Sequence, residues 1–251
     1  MSKILNIGVL GGMGPEATNQ LCALLTANTA VSRDQDHIPV ITYNNPRIPG
    51  RVAAVRGDDG ALSPVPEMIR TAQVLERAGA GLLLLPCNLA HYFIADVQAS
   101  IRIPILNMIE ETVNFIVEHY PQLRRAGILA STPTIECGLY DRAFRRHDKH
   151  LLAPEAVEQD DKVMRAIYGS EGIKCGHKSA PRNLLKSAAE NLSQRGAEVI
   201  IAGCTEVSLV LSRENSSFNV IDPLEIIARV AIAHAGAGEV KLTRRDSATA
   251  N

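Results

Sequence analysis

The chain has 251 residues, of which 46% are hydrophobic, and this is enough apolar material for the core of one large or two small domains. Its 26 basic and 27 acidic residues are scattered along the sequence, which excludes the concentrated positive charge of a nucleic-acid or anionic-membrane surface. The apolar run that starts at Ile4 is too short for a membrane span and lacks a signal-peptide cleavage pattern. We therefore expect a cytoplasmic protein with no nucleic-acid or membrane partner.

Short apolar runs alternate with longer stretches of helical spacing. The predicted strands are Ile4–Leu10, Pro39–Tyr43, Gly81–Leu85, Ile103–Asn107, Ala126–Ala130, Glu198–Ala202 and Asn219–Ile221. The predicted helices are Ala17–Ala27, Pro66–Arg77, Glu110–Glu118, Arg182–Gln194 and Leu224–His234. Strands that are apolar on both faces and alternate with helices indicate an α/β protein with parallel sheets.

A glycine-rich turn, Gly11–Pro15, follows the first strand and opens a helix. The spacing from Gly12 to Ala17 fits a dinucleotide-binding pattern, but the second strand ends in Asn44-Asn45-Pro46, where that pattern expects an acidic residue for the ribose. We therefore disfavour an NAD enzyme. Backbone amides around Met13 are expected instead to bind a carboxylate, because glycine lets a ligand approach closely.

Two long loops, Pro46–Pro66 and Tyr168–Pro181, are expected to be mobile and to cover a cleft. An acidic substrate needs cations, and Arg51 on the first loop is the preferred one because a guanidinium pairs with both oxygens of a carboxylate. The other candidate cations on these loops are Arg47, Arg56, Lys174 and Lys178.

The two halves of the chain repeat one another around two of the five cysteines. Gly79 and Gly196 stand at the same offset before Cys87 and Cys204, and each cysteine ends an apolar strand just before a helix. We expect two similar Rossmann- or flavodoxin-like lobes related by a pseudo-twofold axis, with the site in the cleft between them. Facing thiols would suit inversion of a carbon centre, since one removes a proton and the other delivers one. Packing of a buried cysteine is the alternative.

The repeat also predicts domain boundaries. The first lobe is expected over 1–105 and the second over 106–222, with a helix over 223–235 packing back on the first lobe. The small polar residues of 236–251 predict a disordered tail.

The remaining candidates are weaker. Cys22, Cys137 and Cys175 have no counterpart in the repeat, so we assign them to packing or the surface. Cys175-Gly176-His177 is poor evidence for a metal, and no metal site is predicted. His91, four residues after Cys87, could pair with its thiol, but we expect it to be a supporting or helix-face histidine. We expect the hydroxyls of Ser131-Thr132-Pro133-Thr134 to reach the cleft, with Thr132 as the preferred one and a simple turn and helix N-cap as the alternative.

Four blocks of the sequence resemble the aspartate/glutamate racemase family, especially its aspartate racemases, from Ile7 to about Val230. They are Gly11–Pro15, Asn44–Pro46, Pro86–His91 and Gly203–Glu206. The resemblance implies racemisation with no cofactor, neither pyridoxal phosphate nor metal, by Cys87 and Cys204 as the acid and base. It also implies two similar α/β lobes and a homodimer.

The resemblance further implies a substrate-binding set, in which Arg51 is similar to the family's carboxylate arginine and Lys174 to a lysine of the aspartate racemases. Together with residues of the matched blocks and turns, the expected set is Met13, Arg51, Asn88, Leu89, Thr132, Lys174, Thr205 and Glu206. Leu89 departs from the family, which has Thr at this position. Replacing that hydroxyl by an isobutyl group is expected to alter substrate choice or rate.

The sequence thus predicts a racemase of a small acidic amino acid, with aspartate as the first candidate. One alternative is another small-dicarboxylate enzyme of the same superfamily, such as a maleate isomerase or an arylmalonate decarboxylase, although the decarboxylase uses one cysteine. Another alternative is a two-lobed protein that binds an acidic amino acid without turnover.

Overall fold

The structure is a computed structural model, and it describes residues 4–212 and 216–236. The strands are β1 (Ile7–Gly11), β2 (Val40–Asn44), β3 (Leu82–Leu84), β4 (Arg125–Ile128), β5 (His150–Leu152), β6 (Val199–Ile201) and β7 (Val220–Ile221). The α-helices are α1 (Pro15–Asn28), α2 (Arg51–Arg56), α3 (Val65–Arg77), α4 (Ile94–Gln98), α5 (Met108–His119), α6 (Thr132–Glu136), α7 (Leu139–Arg145), α8 (Ala156–Glu158), α9 (Arg165–Tyr168), α10 (Ser179–Gln194), α11 (Thr205–Ser208) and α12 (Pro223–Ala235). Short 3₁₀-helices span Asp34–Asp36, Leu89–Phe93 and Ile173–Cys175, and a π-helical turn, Gln159–Met164, joins α8 to α9.

Two parallel sheets confirm the predicted α/β fold with two similar lobes. The first sheet has the order β2-β1-β3 and the second has the order β5-β4-β6-β7. In each sheet an inner strand, β1 or β4, pairs with the strand that follows it in sequence and with the strand that precedes a cysteine, β3 or β6. The repeat in the sequence is therefore a repeat in topology, and it places Cys87 and Cys204 at equivalent strand ends.

Each sheet has apolar side chains on both faces, as the continuous apolar strands predict. Ile7 and Val9 pack on one side of the first sheet, while Leu10 belongs to the cluster on the other side. The last helix, α12, contacts both α1 and α5. Its Leu224 lies in the cluster of Ile7, and its Ile226 lies in a cluster of the second lobe.

The boundaries 1–105 and 106–222 stay predictions, as does the assignment of helix 223–235 to the first lobe. The predicted tail 236–251 lies outside the described residues except for Gly236. Among the residues that are described, no helix combines the length and the apolar character that a membrane crossing requires.

The structure lacks one predicted strand, has one strand that was not predicted, and places α2 within the predicted loop Pro46–Pro66. Ile103–Asn107 is not a strand: it forms one isolated bridge between Ile105 and Leu83, since Pro104 has no N–H to extend a ladder. Asn107 instead caps α5, where its side chain accepts from the amides of Ile109 and Glu110. Strand β5 was not predicted, because its three residues are half exposed and lack a continuous apolar run.

Candidate active site

Both repeat cysteines line one cavity of about 240 Å³, at the carboxyl ends of the two sheets. Seven other residues predicted from the sequence also line it: Met13, Arg51, Asn88, Leu89, Lys174, Thr205 and Glu206. Six others complete the lining: Gly50, Val52, Ser131, Thr134, Tyr168 and Gly203. A slightly larger cavity of about 260 Å³, beside α5 and α12, contains neither cysteine, so size alone does not locate the site.

The turn around Met13 is held rigidly on the first-lobe side. Gly12 has a φ of +98°, and a Cβ atom there would lie 2.1 Å from the carbonyl carbon of Asn45, so this position needs glycine. The hydroxyl of Thr18 accepts from the Gly12 amide at 3.0 Å and donates to the Gly14 carbonyl at 2.9 Å. These contacts keep the start of α1 directed at the cavity, as a helix N-terminus that binds an anion requires.

Arg51 supplies a positive charge to the same side. Its guanidinium donates to the carbonyl oxygen of Met13 at 3.0 Å and to that of Pro49 at 3.2 Å, and its buried Nε has no partner. Among the described residues, these contacts are with neutral carbonyl groups and not with a carboxylate. The charge of Arg51 is therefore positioned but not neutralised, and it can attract a carboxylate of a ligand.

Three side chains that contact one another line the second-lobe side of the cavity. Lys174 makes an ion pair with Oε1 of Glu206, and Oε2 of Glu206 accepts from Sγ of Cys204 at 3.0 Å. The ammonium of Lys174 also lies 5.5 Å from the ring centroid of Tyr168. A Cβ atom on Gly14 of the first lobe would lie 3.1 Å from Oε1 of Glu206, so the Glu206 side chain reaches the glycine-rich turn around Met13.

These contacts set the charges on the second-lobe side. Burial and the adjacent Glu206 carboxylate raise the pKa of Cys204 well above its usual value, which favours the thiol. Burial also acts to raise the pKa of Glu206, but the Lys174 charge and the hydrogen bonds from Cys204 and Lys174 outweigh it, and the pKa is lowered. Burial acts to lower the pKa of Lys174, but Glu206 outweighs it and the pKa is raised. A neutral thiol therefore faces a charged pair.

His91 supports the turn that carries Cys87, as predicted. Its Nδ1–H donates to the carbonyl oxygen of Cys87 at 2.9 Å, and its Nε2 accepts from the amide of Met108 at 3.1 Å. The ring is 2% exposed, and burial lowers the pKa of His91 to about 4. The neutral imidazole thus ties the cysteine turn to the start of α5 and is not available as a base for the thiol.

Replacing His91 by Gln should change the pH dependence of stability. The folded pKa of about 4 lies below the ordinary 6.5, so the unfolded chain binds an extra proton between these values, and stability falls as the pH drops through this window. His91 should account for a loss of up to about 3 kcal/mol. Urea unfolding at pH 7.5 and pH 4.5 measures it. We expect a smaller loss in His91→Gln than in the wild type, and equal losses would contradict a buried neutral imidazole.

Thr132 was wrongly expected to reach the cavity. Its hydroxyl accepts from the side chain of Gln159 at 3.2 Å, and its amide donates to Sδ of Met164 at 3.3 Å, so it faces the segment between α8 and α9. Ser131 and Thr134 line the cavity instead, with their hydroxyl oxygens 2.8 Å apart. Because α6 starts at Thr132, residues three apart share a face, and this spacing could have identified the pair.

The other candidates do not line the cavity. Arg47, Arg56 and Lys178 are outside its lining, and Lys178 pairs instead with Glu16 of α1 at 2.6 Å. Cys22, Cys137 and Cys175 are also outside it. Within 4–212 and 216–236, no cluster of three or more His, Cys, Asp or Glu side chains could hold a metal ion. Tyr168 of the lining was missed, because a single tyrosine in a glycine-rich loop carries no sequence signal.

Comparisons with known proteins identify a family and similar structures. Residues 10–231 match the family model described as Asp/Glu/Hydantoin racemase. The broad specificity amino-acid racemase RacX of Bacillus subtilis (strain 168) is 25% identical over 235 residues, covering 90% of this chain and 96% of RacX. The structure of Picrophilus torridus aspartate racemase aligns with a TM-score of 0.79 at 25% identity, covering 98% of both chains. An aspartate racemase homologue from Pyrococcus horikoshii OT3 aligns with a TM-score of 0.72 at 22% identity, covering 94% of this chain and 100% of the homologue.

Proposed function

This chain belongs to the Asp/Glu/hydantoin racemase family and is an amino-acid racemase. We propose that it interconverts the L- and D-enantiomers of an acidic amino acid, with aspartate as the first candidate. Cys87 and Cys204 carry the protons, and no cofactor takes part. One observation carries this proposal: equivalent turns of two similar lobes bring these two thiols to one small cavity. Two acid–base groups on opposite sides of a bound carbon are what inversion requires.

The cations and amides of the cavity would hold the substrate. Arg51 and the amides around Met13 bind one carboxylate from the first lobe, while Lys174 attracts the second carboxylate from the other lobe. Abstraction of an α-proton places negative charge on the adjacent carboxylate, which becomes enolate-like. Fixed donors that already point at this carboxylate stabilise that charge without reorganisation, and this supplies much of the catalysis.

The contacts of Cys204 suggest which thiol starts as the acid. Its Sγ donates to Glu206, so Cys204 starts as the thiol, and the two-base mechanism then assigns the role of the first base to Cys87. Cys87 then removes the α-proton from one face, and Cys204 gives its proton to the other face as the new C–H bond forms. The inverted product leaves Cys87 protonated and Cys204 as thiolate, which is the starting state for the reverse reaction.

A second candidate, broader in substrate, is favoured by Leu89. Its side chain lines the cavity beside Asn88 and is 5% exposed, so it presents an apolar surface where the family has a hydroxyl. An apolar wall accepts an uncharged side chain without leaving a buried polar group unpaired. The name of the relative RacX, a broad specificity racemase, supports this candidate.

Optical rotation tests the reaction and the substrate together. Pure enantiomers of aspartate, glutamate, leucine and methionine are each incubated with protein dialysed against a chelator and with no added cofactor. We expect the rotation of both aspartate enantiomers to decay to zero. Faster decay with leucine or methionine would establish the broader candidate, and constant rotation with every amino acid would refute racemisation.

A further inference from the structure

The amide of Asn88 has one polar atom paired and one unpaired. Its Oδ1 accepts from the hydroxyl of Tyr140 at 2.7 Å, whereas its Nδ2 has no hydrogen-bond partner. Asn88 is 2% exposed and lines the cavity, so this N–H₂ group is withheld from bulk water. A buried donor with no partner is costly unless a ligand satisfies it, so the atom marks a position for an acceptor oxygen.

Tyr140 makes this contact from the other lobe. It lies in α7, after β4, while Asn88 lies in the turn after β3, and Tyr140 does not line the cavity. The side chain is 1% exposed, and burial raises the pKa of Tyr140, so its hydroxyl keeps its proton and remains a donor. The amide carbon is trigonal, so when a fixed hydroxyl holds the oxygen, the nitrogen points about 120° away from that contact.

We propose that Tyr140 is a positioning residue, whose hydroxyl holds the Asn88 amide oxygen so that the amide nitrogen faces the cavity and donates to a substrate carboxylate. This role rests on the proposed function, because it needs a carboxylate ligand beside Cys87. It acts through Asn88 and not through contact with the substrate. A hydrogen bond between the lobes thus prepares a donor for the substrate before it arrives.

Tyr140→Phe tests this role, because it removes one hydroxyl and keeps the buried ring. We expect the KM for aspartate to rise about 3- to 10-fold while kcat changes less than about 2-fold, since a donor to the carboxylate that does not become enolate-like binds ground state and transition state alike. Tyr120→Phe is the matched control. The Tyr120 hydroxyl accepts from the amide of Asn219 at 3.1 Å outside this cavity, so its loss should leave KM unchanged.

A double-mutant cycle shows whether Tyr140 acts through Asn88. Asn88→Ala alone should raise KM, and adding Tyr140→Phe to it should raise KM no further. Urea unfolding of each variant separates this effect from loss of the folded state. An unchanged KM in Tyr140→Phe, an unchanged KM in Asn88→Ala, or an undiminished effect of Tyr140→Phe in the Asn88→Ala background would overturn the role.

The outcomes also separate this role from the proposed function. If the wild type racemises aspartate and Tyr140→Phe has the same KM, the role of Tyr140 is overturned while the proposed function stands. If calorimetry and optical rotation both show that the wild type neither binds nor racemises aspartate or any other amino acid of the panel, the proposed function and the role fail together.

Discussion

Serine in place of either Cys87 or Cys204 should lower kcat/KM in both directions by about 10³-fold. Positioned acid–base groups contribute roughly 10²- to 10⁴-fold, and a serine hydroxyl is far too weak an acid to exchange a proton with the α-carbon at neutral pH. Both directions suffer because each thiol serves as base in one direction and as acid in the other. Progress curves from pure L- and D-aspartate measure the two directions separately.

Cys175→Ser is the matched control for these variants. Cys175 is exposed, lies next to Lys174 in sequence and is outside the cavity, so its loss should change kcat/KM by less than about 2-fold. Circular dichroism and urea midpoints of all three variants show whether they remain folded. Full activity in Cys87→Ser or Cys204→Ser would contradict the two-cysteine mechanism, and so would an equal loss in folded Cys175→Ser.

Replacing Lys174 by Met should have the next largest effect, a loss of about 100-fold in kcat/KM for aspartate. The change removes the cation that we propose to bind a substrate carboxylate. It also removes the positive charge that partly counteracts the rise in the pKa of the Cys204 thiol. Without Lys174 that pKa rises, so a smaller fraction of Cys204 is thiolate at neutral pH. In the direction where Cys204 is the base, the rising limb of the pH profile should move to higher pH.

The pair of Lys174 and Glu206 requires two controls. Lys174→Met leaves the buried Glu206 carboxylate without its partner, which costs about 3–5 kcal/mol of stability, so urea unfolding must accompany the kinetics. The double variant Lys174→Met/Glu206→Gln removes both charges and should recover most of that stability. Lys178→Met, which breaks the ion pair with Glu16 outside the cavity, should leave the pH profile unchanged. An unshifted limb in Lys174→Met would contradict the proposed charge arrangement.

The repeat around Cys87 and Cys204 allowed the two-lobed fold and the meeting of the two thiols to be predicted from the sequence. Continuous apolar strands are a strong signal, and the equivalence of two motifs in sequence implies equivalence at the ends of parallel strands. The short β5 and the isolated bridge at Ile105 were not predictable from pattern, because tertiary contacts and the missing N–H of Pro104 decide them.

The site was predictable where a residue lies in the same turn as a cysteine, as for Asn88 and Thr205. It was not predictable where a side chain reaches the site from another element, as for Tyr168 and Tyr140, because no local pattern reports a contact between lobes. Thr132 was misassigned for a related reason. The register of α6, set by where the helix starts, decides that Ser131 and Thr134, and not Thr132, face the cavity.

The homodimer and the cytoplasmic location stay predictions. Sedimentation of the purified chain measures its mass in solution, and we expect twice the 27.1 kDa of one chain. A single species at the mass of one chain would contradict the dimer.

Isotope exchange at the α-carbon tests the two-base mechanism most directly. L-Aspartate is incubated in deuterium oxide, the reaction is stopped after a few per cent conversion, and both enantiomers are separated and analysed by mass spectrometry. With one of the two thiols as base and the other as acid on opposite faces, the D-aspartate formed should carry deuterium, while the remaining L-aspartate keeps its hydrogen. Deuterium in both enantiomers at early times, or protium carried into the product, would contradict the account, because either result requires a single base that serves both faces.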